Sequence, residues 1–422
     1  MAFQKFLNYF KVFSDRKLLA FMGSGLIVSV AYMDPGNWGT DIGGGASFNY
    51  DLLWVVWLAS GMAMLFQYLS GKLGIAGYSL PELVKEKLRR KWLVWFYWVL
   101  AEIAILATDL AEFLGIVVAL NLLFGIPLLW GTYIAVADVL IILLLTQKRF
   151  RTLEQSFIIF VSIIGLGYVY ELFITKPDIS SVIFHSVKPI LTKESALIAV
   201  GIIGATVMPH ALFVHSWLIK NKIINANFGS KLKTLKYHLI DNVVSLTIAG
   251  CINAAIIIMS AAAFYKSGIN VATLDQAYTT LIPLFGKFAA LIFALALLSA
   301  GISSSVTGTL AGQSVMDGLT GFRISIWIRR LITRFINVIP VTIAVLLGIE
   351  PLRILILSQV ALSLLIPLPL IPLIIYTADK NIMKELVNKK ITTIFSIIFA
   401  LVILGFNGYL LYQVFFQGVG LG

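Results

Sequence analysis

Long apolar runs alternate along this chain with short polar loops. A hydrocarbon core of about 30 Å is crossed by about 20 helical residues, each rising about 1.5 Å. That ruler fits eleven stretches, at approximately 18–47, 52–71, 93–123, 127–146, 154–175, 196–219, 239–264, 287–312, 331–349, 353–376 and 391–415. The pattern predicts an all-α integral membrane protein. The loops between these stretches are no longer than about 25 residues, too short for a soluble catalytic domain. Function is therefore expected to reside within the membrane.

Two of the runs are interrupted. The first contains Asp34-Pro35-Gly36-Asn37 and the sixth contains Met208-Pro209-His210. Proline has no backbone N–H, so the carbonyl four residues earlier loses its helical partner: that of Ala31 in the first run, that of Ala205 in the other. In a bilayer such backbone is tolerated only where protein or a wet cavity surrounds it, and paired broken helices point to a transporter's central site. The two breaks together offer a carboxylate (Asp34), an amide oxygen (Asn37), a thioether (Met208) and two carbonyls. The oxygens suit hard divalent ions, and the soft sulfur of Met208 tilts the set toward transition metals. A methionine in a membrane helix is more often packing, and Asp-Pro-Gly-Asn is a common turn. Within thirty mainly apolar residues, however, an ionisable group is a functional hypothesis by default.

Composition agrees with a membrane assignment: of 422 residues 59% are hydrophobic and 12% charged, and mean hydropathy is +0.94. The net charge of +12 does not imply nucleic-acid binding, because the basic residues lie in short loops between spans. With a cytoplasmic N-terminus, 26 of the 32 Lys and Arg residues fall on that side. The positive-inside rule then orients the chain, and an odd number of spans leaves Gly422 outside. The basic loops also suit attraction to anionic lipid. The first apolar run follows basic residues, as in a signal peptide, but its length and Asp34 predict that it is retained. Cys251, the single cysteine, permits no intramolecular disulfide and is expected to be a small buried packing residue.

Glu102, Asp109 and Glu112 are spaced by seven and three residues, which aligns them on one stripe of the third span. Such intramembrane carboxylates mark proton relays or structural ion-pair networks, the latter most plausibly with Arg329 and Arg330. His210 adjoins the second break and His215 follows on the same helix; either suits a proton sensor or relay. His185 and His238 fall in or beside predicted loops and receive no role.

These residues resemble the Nramp family of proton-coupled divalent metal transporters, whose first-helix motif is Asp-Pro-Gly-Asn and whose sixth-helix motif is Met-Pro-His. The likeness runs from Ala31 to Trp38, from Gly204 to His210, from Glu102 to Glu112, and through Gly312 to Met316, Arg329-Arg330 and Leu357-Ser358-Gln359-Val360. It implies a LeuT-like fold within a single transport domain over 1–422. Inverted five-helix repeats are expected over approximately 15–176 and 195–378, with an additional eleventh helix at 391–415. It also implies metal coordination by Asp34, Asn37, Met208 and the Ala205 carbonyl, with the Ala31 carbonyl joining in some conformations. His210, Glu112, Asp109, Glu102, Arg329 and Arg330 are implied as the proton pathway. Two departures stand out: Ala211 where the family usually has asparagine, and Leu365 where a span-10 glutamine is expected to approach the ion.

The expected function is import of Mn²⁺ or Fe²⁺, with Co²⁺ and Cd²⁺ poorly distinguished, by proton symport with alternating access in the cell membrane. Metal binding at Asp34 would favour its charged form and expel its proton toward the stripe. No cofactor, nucleic acid or obligate protein partner is expected beyond the lipid bilayer. The polar groups do not form a nucleophile, base and oxyanion arrangement, so an enzyme is not expected. The rival reading is a sodium-coupled amino-acid or organic-solute transporter on the same fold. Those proteins offer half-helix N-termini to a substrate carboxylate, which Asp34 would repel.

Overall fold

The computed structural model describes residues 18, 21, 24–140, 150–225, 228–268 and 274–416. No β-strand occurs among them. The first predicted span is two helices, α1 (Ser24–Ala31) and α2 (Pro35–Phe48), followed by α3 (Leu53–Ala76), a short α4 (Leu80–Lys87), α5 (Lys91–Phe124) and α6 (Leu128–Ala135). Next come α7 (Phe150–Thr175), the short α8 (Ile179–Val187), and the second broken span, α9 (Ala196–Val207) with α10 (Pro209–Asn225). The remainder comprises α11 (Lys231–Ser260), α12 (Leu274–Phe285), α13 (Lys287–Val315), α14 (Ile326–Leu346), α15 (Pro351–Leu365), α16 (Pro367–Ala378), α17 (Lys380–Met383) and α18 (Lys390–Phe416).

Helix thus appears at all eleven predicted spans. The end of the fourth, residues 141–146, lies outside the described residues, as do most of the basic N-terminal segment and the C-terminal Gly422. Eight helical stretches among the described residues are long and apolar enough to cross a membrane, two of them running through the α9–α10 and α15–α16 junctions. The first span escapes that criterion because three non-helical residues, 32–34, separate its halves of 8 and 14 residues. The ninth, α14, carries Arg329, Arg330 and Arg334 within 21 residues. Several helices also run past their predicted ends, since a charged turn outside the hydrocarbon can still continue the helix. Helix α11 begins at Lys231, so His238 is a fully buried helical residue rather than a loop residue.

The broken helices occupy the centre. Helix α5 packs along α13, α9 along α15, and both α10 and α11 along α3. At the α9–α15 crossing the backbones touch: a Cβ on Gly204 would overlap the Gln359 carbonyl oxygen and lie 2.8 Å from the Ser363 nitrogen. Small residues permit such approach between membrane helices, where packing has to replace a hydrophobic driving force. Cys251 lies in α11 as expected but is exposed, on the outer face of that helix. The apolar surroundings it was expected to find inside the protein are outside it, so burial cannot be inferred from membership of a span alone.

Candidate functional site

The two breaks meet through one side chain. Asp34 is the N-cap of α2, with extended backbone (φ −70°, ψ 164°), and its Oδ1 accepts the Asn37 N–H at 2.8 Å. Pro35 fits the next position because the first helical N–H has no partner in any helix. The cap fixes one carboxylate oxygen and leaves Oδ2 with no hydrogen-bond partner. Met208 ends α9 at φ 45° and ψ 100°, a left-handed conformation rare for a bulky residue. Oriented to satisfy its surroundings, the Asn37 amide donates from Nδ2 to Asp34 Oδ1 (2.6 Å) and to the Ala205 carbonyl (3.1 Å). Its oxygen accepts from Asn253 Nδ2 at 2.9 Å, and Asn253 also donates to the Tyr32 carbonyl at 2.8 Å. Helix α11 therefore holds both the break and the amide.

Ala31, Asp34, Asn37, Ala205 and Met208 are each no more than 1% exposed, so the site is closed from both sides of the protein. The Ala31 carbonyl accepts the Asp34 N–H at 3.3 Å and keeps its second lone pair. Among the described residues no three His, Cys, Asp or Glu side chains converge as a metal cage. The donor set at the breaks is instead mixed: carboxylate, amide, carbonyl and thioether.

A further side chain belongs here. A Cβ on Gly36 would overlap the Gln359 side-chain amide and lie 3.0 Å from Asp34 Oδ2. Gln359 is fully buried, donates to Ser358 Oγ at 3.0 Å, and has no partner for Oε1. The glutamine that α15 brings to the break is thus Gln359, and Leu365, six residues on, is only half-buried. The Leu-Ser-Gln-Val likeness contained this signal, and the expectation at residue 365 is corrected accordingly.

The acidic stripe of α5 faces α14. Glu102 pairs with Arg329 Nη2 at 2.6 Å, and Asp109 pairs with Arg330 and accepts from Asn337 Nδ2 at 2.6 Å. Asp138 joins both Arg330, at 2.8 Å, and Arg334. The ion-pair network anticipated with Arg329 and Arg330 is present, and Asp138, Arg334 and Asn337 extend it beyond what spacing could suggest. Four carboxylates face three guanidinium groups. Glu112 is the carboxylate left over: Arg330 is 3.9 Å away and neither of its oxygens has a hydrogen-bond partner. Thr108 links this stripe to the second break, since its Oγ1 lies 3.0 Å from His210 Nδ1 and 3.2 Å from the Ala104 carbonyl. A hydroxyl has one proton; given to Ala104, it makes Nδ1 the donor and leaves the unpartnered Nε2 as the basic atom. His215 bonds Gln67 at 2.8 Å, and Gln67 bonds the Tyr32 hydroxyl at 2.8 Å. It therefore supports the first break from the side.

Residues 25–413 match the family model described as natural resistance-associated macrophage protein-like, Nramp. The chain belongs to the Nramp family. The divalent metal cation transporter MntH of Deinococcus radiodurans is 42% identical over 400 residues, spanning 94% of this chain and 91% of that relative. The protein of the same name from Verminephrobacter eiseniae is 46% identical over 400 residues, covering 94% and 90%. Among solved structures, the Eremococcus coleocola manganese transporter superposes with a TM-score of 0.83 at 30% identity, covering 92% of this chain and 85% of that one. The nucleobase-cation-symport-1 transporter Mhp1, at 13% identity and a TM-score of 0.55 over 93% of this chain and 88% of that one, shares the fold alone. The Nramp fold is LeuT-like, as expected, with helix α18 beyond the two repeats.

Two further acidic side chains of this Nramp chain were not singled out in the sequence. Asp41 on α2 and Glu171 on α7 are each 1% exposed, and none of their four oxygens has a hydrogen-bond partner. The Trp38 and Tyr168 rings, one turn earlier on the same helices, are in edge contact at 5.1 Å. An ionisable residue within an apolar span was the available signal.

Proposed function

We propose that the chain is a secondary active transporter that imports divalent transition-metal ions, Mn²⁺ or Fe²⁺ with Co²⁺ and Cd²⁺ as further substrates, by proton symport with alternating access. One observation carries this reading: Asn37 spans the two breaks, touching Asp34 on one and Ala205 on the other. A dication would take the place of the Asn37 amide hydrogens between those oxygens. Asn37 then turns its own oxygen inward, and Asp34 Oδ2, the Ala31 and Ala205 carbonyls, and the Met208 sulfur complete the donor set. The names of the similar proteins, divalent metal cation transporter and manganese transporter, support the cargo.

The proton is proposed to move from Asp34 to the surplus carboxylate, Glu112, with His210 and Thr108 beside the break, and then along Asp109 and Glu102. Arg329 and Arg330 hold those carboxylates in register. The excess of Lys and Arg in the loops on one side supports a cytoplasmic N-terminus and an extracytoplasmic C-terminus. The repeats, approximately 15–176 and 195–378, rock about the fixed midplane site while residues 391–415 stand outside them.

Reconstitution into proteoliposomes tests this reading, with Mn²⁺ uptake and internal pH followed together. Wild type is expected to show saturable uptake with internal acidification, and Asp34→Ala to show neither. Uptake of an amino acid driven by Na⁺, with no Mn²⁺ uptake, would replace the proposal with its rival.

A further inference from the structure

A cavity of about 300 Å³ opens where α4, the start of α5 and the π-turn Met316–Thr320 after α13 come together. Its lining includes Lys85, Arg89 and Lys91, with Leu88, Trp95 and Leu319 as an apolar wall. No acidic residue is among the lining residues. The acids nearest in sequence are not part of that lining: Glu82 pairs with Lys220, Asp317 pairs with Arg323 at 2.8 Å, and Glu86 is exposed beside it. Three cations around one cavity with no acidic residue in its lining call for an anion.

The surface that leads away from the cavity tells what else the ligand carries. Trp92, Trp95, Phe96, Val99 and Ile103 are all exposed, at 61%, 49%, 58%, 45% and 47%. Their spacing places them along one side of α5, running from the charged end into the apolar span. Aromatic residues at the start of the stripe sit where a headgroup region begins, and aliphatic ones follow at hydrocarbon depth. A soluble anion would use the cavity alone, whereas an amphiphile fits both the cavity and the stripe.

We propose that this cavity binds the headgroup of an anionic phospholipid whose acyl chain lies along the exposed face of α5. The site stands apart from the metal-binding breaks and does not depend on the cargo. It does adjoin the charged stripe: Met316, three residues before Leu319, accepts from Arg329 Nη1 at 3.4 Å, and Arg329 pairs with Glu102. A lipid held here would thus press on the cytoplasmic end of that network.

Native mass spectrometry of the delipidated full chain tests the site, titrated with phosphatidylglycerol and with phosphatidylcholine of identical acyl chains. Wild type is expected to retain phosphatidylglycerol preferentially. Each cation near a membrane surface contributes about 1 kcal/mol, so Arg89→Gln should lower that preference about five-fold, and Lys85→Gln/Arg89→Gln/Lys91→Gln should abolish it. The single variant keeps the test meaningful should the triple variant fold poorly. Lys389→Gln/Lys390→Gln removes two exposed charges elsewhere and is expected to keep the wild-type preference. Equal retention of the two lipids by wild type, or an unchanged preference in Arg89→Gln, would overturn the proposal. So would displacement of the lipid by millimolar inorganic phosphate, which would mark a site for soluble anions.

Discussion

Asn37 and Ala205 lie 168 residues apart in the chain, yet the Asn37 amide nitrogen is 3.1 Å from the Ala205 carbonyl and 2.6 Å from Asp34 Oδ1. A neutral donor therefore bridges the two oxygens that a dication would bridge. Asp34→Ala removes the charge that offsets the ion's desolvation and is expected to abolish Mn²⁺ uptake and binding. Asn37→Ala keeps the charge but removes the bridge and one ligand. Its expected effect is a rise of at least ten-fold in the dissociation constant, a loss of about 1.4 kcal/mol, read by isothermal titration.

Met208 makes a different prediction because its contribution is soft. A thioether adds little to the binding of Mg²⁺ or Ca²⁺. Met208→Ala is therefore expected to weaken Cd²⁺ binding more than Mn²⁺ binding and to let Ca²⁺ and Mg²⁺ compete. Competition against ⁵⁴Mn²⁺ uptake measures this directly. An unchanged rank order of competing ions would remove the sulfur from the site.

Helix positions and both breaks were legible because hydrophobicity at bilayer length and proline inside an apolar run are local properties. What α5 touches was not. Glu102, Asp109 and Glu112 share a stripe by spacing alone, but Asp138 and Arg334 complete the network only once α6, α14 and their flanking turns fold against it. Gln359 shows a milder form of the same limit: the Leu-Ser-Gln-Val likeness pointed to it, but only the packing of α15 against α2 shows that it is Gln359 that meets Gly36. Cys251 failed for a related reason: α11 turns His238, Asn242 and Asn253 inward and Leu239, Val243 and Ile248 outward, so an apolar position in this span is not for that reason a buried one.

The crossing at Gly204 and the contact at Gly36 differ in what can yield. A Cβ on Gly204 meets backbone of α15, whereas one on Gly36 meets the end of the Gln359 side chain. Gly204→Ala is expected to lower the thermal midpoint and eliminate transport, with no rescue from shortening a neighbouring side chain. The cost is of the overpacking kind, about 1–3 kcal/mol or more. Gly36→Ala should be partly rescued in stability by Gln359→Ala, which a thermal scan of the two single variants and the double variant would show.

Paired and unpaired buried carboxylates should respond in opposite directions to their amides. Asp109 is held by Arg330 and Asn337, so Asp109→Asn breaks a buried ion pair and is expected to destabilise by about 3 kcal/mol. Glu171 has no partner for either oxygen, so Glu171→Gln removes a group whose ionised form is costly to bury. Its thermal midpoint in detergent is expected to equal or exceed that of wild type. A marked loss of stability in Glu171→Gln would mean that the carboxylate is partnered after all.

Glu112 is the remaining test of coupling, because it is the carboxylate that three guanidinium groups leave unmatched. Glu112→Gln preserves shape and removes the capacity to take a proton. Metal binding at the breaks should survive, since the ligands proposed there do not include Glu112. Metal-driven acidification of the liposome interior should fall by at least ten-fold relative to metal uptake, with Asp109→Asn following the same trend. Arg330 pairs with Asp109 and only approaches Glu112, at 3.9 Å, so Arg330→Gln should reduce stability as well as proton movement, whereas a purely structural network would lose stability alone. Acidification that follows Mn²⁺ uptake at the wild-type ratio in Glu112→Gln and Asp109→Asn would take the stripe out of the proton route and leave it as the scaffold that fixes α5 against α14.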